Sequence, residues 1–177
     1  MRKIPLTQGY VAVVDSKDHA RVSVFKWTAM RSRKTTYAYR KEKGKSILLH
    51  RFILDASAEE RVDHKDRDGL NCRRSNLRVA TASQNGANKI PAPSVYTPYK
   101  GAHYSRRDRS WATVVQIGGK RIHGGTFKTD EAAARAYDAL SVAAFGQFAL
   151  TNFPRNEITP SSMRLARNRL KAKGATP

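Results

Sequence analysis

The stretch "VDHKDRDGLNCRRSNLRVATASQN", residues 62–85, combines an adjacent carboxylate and imidazole with turn formers, arginines and asparagines. Val62, Asp63 and His64 are typical of the end of a strand, where the following loop lets neighbouring side chains turn toward one ligand. The loop "KDRDGLNCRRS" is rich in turn-forming residues, and "NLRVA" is typical of a short returning strand. The pattern predicts a β-loop-β unit with Asp63 and His64 at the exit of its first strand.

A helix is predicted directly after this unit. In "TASQN", Thr81 and Gln84 have the spacing of a capping box, in which each side chain bonds to the backbone N–H of the other residue. The helix should begin at about residue 82 and hold Asn85 in its first turn. The amide of Asn85 then lies near the positive end of a helix.

These side chains favour metal-assisted chemistry on a phosphate. Carboxylate and amide oxygens are hard ligands suited to Mg²⁺, which keeps several waters and shares its coordination with phosphate groups. An imidazole titrates near neutrality, so His64 is suited to take a proton from a water that attacks the phosphate. The competing interpretation is a charged turn on a small β-hairpin protein with a capped helix. An isolated Asp-His pair would favour that interpretation, because short motifs match by chance.

The complete ordered set resembles the HNH nuclease motif, in the variety whose first position is Asp and whose last is Asn. Asp63-His64 is followed by Asn76, twelve residues after the histidine, and by Asn85, nine residues further on. The preceding "LHR", residues 49–51, also resembles the HNH nucleases of phages and mobile introns. The sequence departs from the family where Asn71-Cys72 replaces the usual Asp-Asn, which changes the loop and leaves the expected ligands in place.

This resemblance implies a ββα-metal fold with one divalent cation, Mg²⁺, for which Mn²⁺ can substitute. Asp63 and Asn85 would hold the ion, and His64 would be the general base. Asn76 would act indirectly, through hydrogen bonds that keep the loop and the histidine in place. His50 and Arg51 are candidate phosphate contacts, although His50 is assigned preferentially to packing at the edge of "ILLHRFIL".

The composition favours a polyanionic partner. The chain has 34 Lys and Arg against 14 Asp and Glu, a net charge of +20, which nucleic acid would neutralise. A membrane-surface protein would need a basic amphipathic helix, which only the C-terminal tail approaches. We expect a soluble intracellular protein without signal peptide or membrane span, and without a small-molecule cofactor. The single cysteine, Cys72, excludes an internal disulfide and is predicted to be a loop residue rather than a catalytic thiol.

The segment before the motif is predicted to be β-rich and, with the motif, to form a domain over residues 1–89. The pieces "YVAVVD", "RVSVFKW" and "TTYAYRK" have strand composition, and "KGK" predicts a tight turn into a further strand, "SILLHRFIL". We also consider DNA contact by this lead-in, on the basis of its cations Arg31, Arg33, Lys34, Arg40, Lys41, Lys43 and Lys45.

A Pro-rich linker over residues 90–98 is predicted to separate this domain from a second one over residues 99–154. Strands are expected at about 99–104, 110–117 and 120–127, with Gly118-Gly119 as a hairpin turn. A long helix should follow, capped by Thr129 and ending at Gly146. Residues 155–177 form a basic tail, with a short helix around 161–172, which is expected to be mobile rather than catalytic.

Residues 99–154 resemble the plant Apetala-two/ethylene-response-factor DNA-binding domain, through "YKG", "GTF", "EAAARAYD" and "LTNFP". The resemblance implies a three-stranded antiparallel sheet that is backed by the helix and enters the major groove with its exposed face. Strand alternation turns Trp111 toward the core and Gln116 outward. The expected DNA-binding residues are Lys100, His103, Arg106, Arg109, Val114, Gln116, Arg121 and His123. Because His103, Val114, Gln116 and His123 differ from the plant pattern, the plant sequence preference is not carried over.

Together the two halves predict an α+β protein that acts as a site-directed DNA endonuclease of the homing type, with double-stranded DNA as partner. The resemblance suggests a phage or mobile-intron origin and, if the protein is phage-encoded, the host cytoplasm as location. A non-catalytic transcriptional regulator is the principal alternative, and RNA binding or structure-specific nicking is a third. One catalytic centre per chain leaves nicking, double-strand cleavage and the oligomeric state open.

Overall fold

The computed structural model describes residues 1–32, 35–92 and 94–175. Within it the chain forms two compact units, Met1–Asn85 and Gly86–Pro177. Short antiparallel sheets and helices occur in both units, so the fold is α+β. Among the described residues, no helix is both long and apolar enough to cross a membrane.

The first unit contains seven strands in three antiparallel sheets, ordered β1-β2, β3-β4-β5 and β6-β7, among its described residues. Its strands are β1 (Arg2–Pro5), β2 (Val11–Val14), β3 (Thr28–Arg31), β4 (Thr36–Glu42), β5 (Lys45–Leu48), β6 (Arg61–His64) and β7 (Leu77–Ala80). Its helices are a 3-10 turn (Thr7–Gly9), α1 (Ser16–Ser23), α2 (Leu49–Leu54) and α3 (Ala82–Ala87), the last of which continues into the second unit. The predicted "KGK" turn is confirmed, with positive φ at Lys43 and Gly44 between β4 and β5.

Two of the predicted strands are wrong. The segment "RVSVFKW" begins inside α1, because Asp18 and Val22, one helical turn apart, are both buried on the inner face of that helix. The segment "SILLHRFIL" is a strand only to Leu48 and continues as α2, where Leu49 and Ile53 repeat the same four-residue spacing and are fully buried. Burial of one helical face therefore overrides the strand propensity of the β-branched residues.

The core of the first unit surrounds Trp27, which is 1% exposed and donates from Nε1 to the backbone oxygen of Val22 at 2.8 Å. Cys72 is also fully buried here, as a packing residue of the loop between β6 and β7. Burial raises the pKa of its thiol to about 12, which keeps the sulfur neutral and unreactive. The prediction of a structural loop cysteine agrees with this position.

The second unit is a three-stranded antiparallel sheet, ordered β10-β9-β8, packed against α4. Its elements are β8 (Ala102–Ser105), β9 (Ser110–Ile117), β10 (Lys120–Phe127), α4 (Asp130–Phe145), two 3-10 turns (Gly146–Phe148 and Arg155–Glu157) and α5 (Pro160–Ala172). The predicted cap is confirmed, since the Thr129 side chain accepts from Ala132 N–H at 3.2 Å, and Gly146 ends α4 with a φ of 52°.

The first strand of this sheet begins at Ala102, later than predicted, because Gly101 occupies a tight turn. Its φ is 77°, and a Cβ added there would lie 1.9 Å from the ring of Tyr137. Trp111, predicted in the core, is half-buried and outside the main apolar cluster, with its ring centroid 5.1 Å from that of Tyr104. The basic tail contains a full helix, α5, whose Ala166 and Leu170 are buried in that cluster.

Candidate nuclease site and DNA-reading face

The hairpin of β6 and β7 places Asp63 opposite Arg78 and His64 opposite Leu77. Asp63 and His64 are 5% and 6% exposed, so both ionisable side chains are withdrawn from water. Oδ2 of Asp63 accepts from Nε of Arg78 at 2.8 Å and lies 2.7 Å from Nη2 of the same guanidinium. A buried carboxylate is costly unless it is paired and hydrogen-bonded, and Arg78 supplies both.

His64 lies among side chains from distant parts of the unit. Its ring centroid is 4.8 Å from that of His50 on α2 and 5.9 Å from that of Tyr37 on β4. Burial lowers the pKa of His64 from its ordinary value, although nearby carboxylates, first that of Asp66, oppose the change. His64 is therefore a neutral imidazole at neutral pH, the form that accepts a proton.

His50, a predicted phosphate contact, is 5% exposed and packs edge-on against His64. Its Nδ1 is buried and has no hydrogen-bond partner among the described residues. Burial, with further contributions from His64 and Arg51, lowers the pKa of His50 to about 3. This geometry agrees with the packing role that the sequence favoured. Arg51, the other candidate phosphate contact, donates instead to the backbone oxygens of Ser57 and Glu60.

Asn76 crosses the loop between the two strands. Its Nδ2 donates to Oδ1 of Asp66 at 2.8 Å and to the backbone oxygen of Asn71 at 2.8 Å, and its Oδ1 accepts from Asp66 N–H at 3.0 Å. Burial raises the pKa of Asp66, but hydrogen bonds from Asp68 N–H, Asn71 and Asn76 outweigh it and lower the pKa overall. The loop that follows His64 is therefore held by a connected polar network.

Gly69 lets this loop approach β4. A Cβ at Gly69 would lie 2.4 Å from the backbone oxygen of Thr36 and 2.7 Å from the ring of Tyr37, and its N–H donates to the Thr35 hydroxyl at 2.9 Å. Only glycine fits this contact. The contact holds the loop against the strand that carries Tyr37, whose ring faces both histidines.

The predicted capping box is confirmed at the start of α3. Thr81 N–H donates to Oε1 of Gln84 at 2.8 Å, and Gln84 N–H donates to the Thr81 hydroxyl at 3.2 Å. Asn85 is half-buried in this helix. No group of three or more His, Cys, Asp or Glu residues suited to a metal ion occurs in the described ranges. The donors that are present, a carboxylate, an amide and imidazoles, fit a hard cation that takes one or two protein ligands and fills its remaining positions with water and phosphate.

Sequence reasoning missed Arg78, Tyr37, Asp66 and Gly69. The hairpin register would have indicated Arg78, because residues opposite each other on paired strands form the pairs that stabilise a sheet. Tyr37 carries no local signal, since it reaches the site from a strand 27 residues before His64.

In the second unit, strand register places five of the eight predicted DNA-binding residues, together with Ala112, on one face. Opposite each other stand His103 and Ala112, His123 and Val114, and Arg121 and Gln116. The alternate positions Thr113, Val115 and Ile122 are buried beneath α4. We name the outward set the reading face: His103, Ala112, Val114, Gln116, Arg121 and His123.

The other three predicted DNA-binding residues lie outside the strands of this sheet. Lys100 donates from Nζ to the backbone oxygens of Ala87 and Lys89, the second at 2.7 Å. Arg106 donates to the hydroxyl of Tyr96, and its guanidinium lies 5.6 Å from the centre of that ring. Arg109 is exposed in the turn between β8 and β9, with a φ of 47°.

The cations of the segment before the motif also divide into a buried packing residue and exposed side chains. Arg40 is buried, with its guanidinium 4.0 Å from the centre of the Phe25 ring and 3.3 Å from Glu42, which makes it a packing residue. Arg31, Lys41, Lys43 and Lys45 are exposed. Arg33 and Lys34 lie outside the described residues.

Comparison with known proteins identifies the protein family of this chain. The HNH endonuclease family model matches residues 58–87, which contain β6, the loop, β7 and α3. An uncharacterized HNH endonuclease of Acanthamoeba polyphaga mimivirus is 34% identical over 137 residues, which cover 74% of this chain and 68% of the viral protein. No solved structure matches. The chain belongs to the HNH endonuclease family.

Proposed function

We propose that this protein is a site-directed, homing-type DNA endonuclease, in which the first unit cleaves phosphodiester bonds and the second unit holds the duplex through the reading face. The observation that supports this most strongly is the buried Asp63-His64 pair at the end of β6, followed by the loop network of Asn76. A buried, hydrogen-bonded constellation of this kind is preorganised for chemistry on a phosphate.

His64 acts as the general base. It is neutral near pH 7 because burial lowers its pKa, so it takes the proton from the attacking water. Tyr37 and His50 pack against its ring and fix its orientation. The hydrogen bonds between Asn76 and Asp66 hold the loop that directly follows His64.

Asp63 and Asn85 would hold one divalent cation, Mg²⁺ or Mn²⁺, of the kind that HNH nucleases generally use. A cation held there would stabilise the charge that develops on the leaving 3′ oxygen. Arg78 orients the carboxylate of Asp63 through a hydrogen bond from Nε to Oδ2 and an ion-pair contact of Nη2 with the same oxygen. Residues that orient a ligand in this way tune its affinity for a metal.

The second unit supplies targeting. The reading face carries donors and acceptors, Gln116, Arg121 and two histidines, beside apolar groups at Ala112 and Val114. Such side chains recognise base edges in the major groove, where glutamine pairs with adenine and arginine with guanine. This supports an Apetala-two/ethylene-response-factor-like role. A match over 74% of the chain also extends beyond the first unit, so the relative shares sequence in both.

Plasmid cleavage tests the nuclease. Supercoiled plasmid carrying a genomic fragment library is incubated with Mg²⁺ or Mn²⁺, or with EDTA, and conversion to open circle or linear form is followed. We expect metal-dependent cutting that His64→Ala and Asn85→Ala abolish and that the matched control His19→Ala retains. Equal cutting by parent and His64→Ala would remove His64 from the reaction.

One observation favours a second function, a DNA-binding regulator that keeps the first unit as a scaffold. The carboxylate of Asp63 is engaged by Arg78 at 2.7 Å, an arrangement that also serves a purely structural ion pair. Tight binding of the library plasmid without cleavage, in every metal condition, would support the regulator. If RNA competes more strongly than duplex DNA for the protein, the substrate in both proposals would be RNA instead of DNA.

A further inference from the structure

Helix α5 lies outside the region that resembles the plant domain, and its charge is not balanced within the protein. Residues 158–177 include no Asp or Glu. Exposed cations occur at Arg164, Arg167, Lys171 and Lys173, and no ion pair among the described residues includes any of them. A solvated helix normally mixes both signs, so this composition points to an external anion.

Helix α4 of the same unit provides the contrast. Its cation Arg135 is paired with Glu131 at 3.0 Å and with Glu157 at 2.8 Å. In this unit, a cation that stabilises the fold, Arg135, is therefore paired with carboxylates. Among the described residues, no carboxylate forms an ion pair with α5. This helix is attached to the unit by apolar packing of Ala166 and Leu170, which are 4% and 3% exposed.

Helix α5 lies beside a strand that contributes to the reading face. Strand β10, one of the two edge strands of the sheet, carries Arg121 and His123, and α5 packs against α4 and beside this strand. Nη1 of Arg169 donates to the backbone oxygen of His123 at 3.4 Å, and Nζ of Lys120 donates to that of Gly174 at 3.5 Å. The C-terminal half of α5 therefore runs along the strand that contributes to the reading face.

The cations of α5 are spaced for a phosphate backbone. Arg164, Arg167 and Lys171 follow the i, i+3, i+7 pattern, which aligns them in one stripe along the helix. The stripe is about 10 Å long at 1.5 Å per residue, comparable with the axial rise of about three nucleotides of one DNA strand. The apolar positions Ala166 and Leu170 fix the helix, so the stripe is held in place rather than carried on a loose tail.

We infer that α5 is a second DNA-contacting element, which binds the sugar-phosphate backbone flanking the groove that the reading face enters. The inference rests on the proposed DNA binding of the second unit and extends it to a residue set outside the sheet. Backbone contacts of this type fix register and orientation without reading sequence. Helix α5 therefore contributes affinity and salt dependence, and the sheet contributes sequence preference.

The test compares two triple variants that remove the same charge. Arg164→Gln/Arg167→Gln/Lys171→Gln alters the stripe, and Lys3→Gln/Lys17→Gln/Lys26→Gln removes three exposed cations from the first unit. Binding of each full-length protein to a mixed-sequence DNA duplex of about three helical turns is measured by fluorescence anisotropy from 50 to 200 mM salt, in EDTA to prevent cleavage. Circular dichroism and urea midpoints equal to those of the parent establish that both variants fold.

The α5 variant should have a log–log salt slope shallower than that of the parent by about 2.7, or 0.9 for each lost phosphate contact. Across this salt range the parent should then lose about 40-fold more affinity than the α5 variant does. The first-unit variant should keep the parental slope. Equal slopes for the α5 variant and the parent, or equal losses in both variants, would overturn the inference and leave the proposed function standing. A parent without salt-dependent duplex binding would overturn the DNA-binding proposal as well. A larger loss on an RNA duplex of the same sequence would assign α5 to RNA.

Discussion

The two units differ in the burial of their candidate functional side chains. In the first unit, Asp63, His64, His50 and Asn76 are at most 7% exposed and lie within networks that join β4, α2, β6 and the following loop. In the second unit, His103, Gln116, Arg121 and His123 are exposed on one face of a sheet whose other face makes the core. Catalysis needs groups that are withdrawn from water and held in place, whereas recognition of DNA needs groups that DNA can reach.

This difference predicts where a substitution acts. A change in the nuclease site should disturb folding as well as activity, because each polar group there balances another. A change on the reading face should alter binding and leave stability unchanged, because its side chains make few contacts within the protein. Four experiments test this difference between the two units.

The largest effect is expected from Arg78→Ala. It leaves the carboxylate of Asp63 buried without the partner that lies 2.7 Å away, which should lower the free energy of unfolding of the first unit by about 3–5 kcal/mol. Urea unfolding is followed by the fluorescence of Trp27 in a Trp111→Phe background, so that the signal reports the first unit alone. Arg121→Ala, the matched control on the reading face, is followed by circular dichroism because Trp27 does not report the second unit, and it should change stability by less than about 0.5 kcal/mol. Equal losses in the two variants would contradict the contrast.

Gly69→Ala should have the next largest effect on stability. The added Cβ would lie 2.4 Å from the backbone oxygen of Thr36, so the loop must move away from β4, at a cost of about 1–3 kcal/mol. Cleavage should fall with it, because Tyr37 and the loop after His64 shift together. Gly86→Ala is the control, since a Cβ there meets no atom of the described residues within 4 Å. If Gly69→Ala cleaves and unfolds like the parent, the loop does not depend on this close approach.

On the reading face, Gln116→Ala should weaken binding to the preferred duplex by about tenfold, or roughly 1.4 kcal/mol, because one base contact is lost. Binding to a mixed-sequence duplex should hardly change, and the unfolding midpoint should equal that of the parent. Selection from a random duplex library, with parent and variant in parallel, measures the change in preference. An unaltered preference would move sequence recognition away from this position.

The smallest effect concerns Cys72. Burial raises the pKa of its thiol from 9.0 to about 12, so the folded state favours the neutral thiol. The corresponding stabilisation is fully present below pH 9.0 and declines as the pH rises toward 12. At pH 8, iodoacetamide should label Cys72 only at urea concentrations that unfold the first unit. Rapid labelling of the native protein, monitored by mass spectrometry, would show that the loop around Cys72 opens without unfolding.

Local signals in the sequence were sufficient for much of this architecture. The capping box of Thr81 and Gln84, the hairpin at Gly118-Gly119 and the cap at Thr129 each act over a few residues, and all are confirmed. The strand-like segments that became α1 and α2 could not be assigned in this way. Their β-branched composition favours strands, and only the core that buries Val22 and Ile53 decides for helix.

The sequence alone therefore determined the order of Asp63, His64, Asn76 and Asn85, the basic character of the chain, and the alternation that defines the reading face. The tertiary structure decided which side chains surround that motif. Tyr37, His50 and His64 come from β4, α2 and β6, and their rings meet because those elements share one core. Such contacts join residues that are far apart in the chain. Propensity and periodicity, which describe only neighbouring residues, carry no information about them.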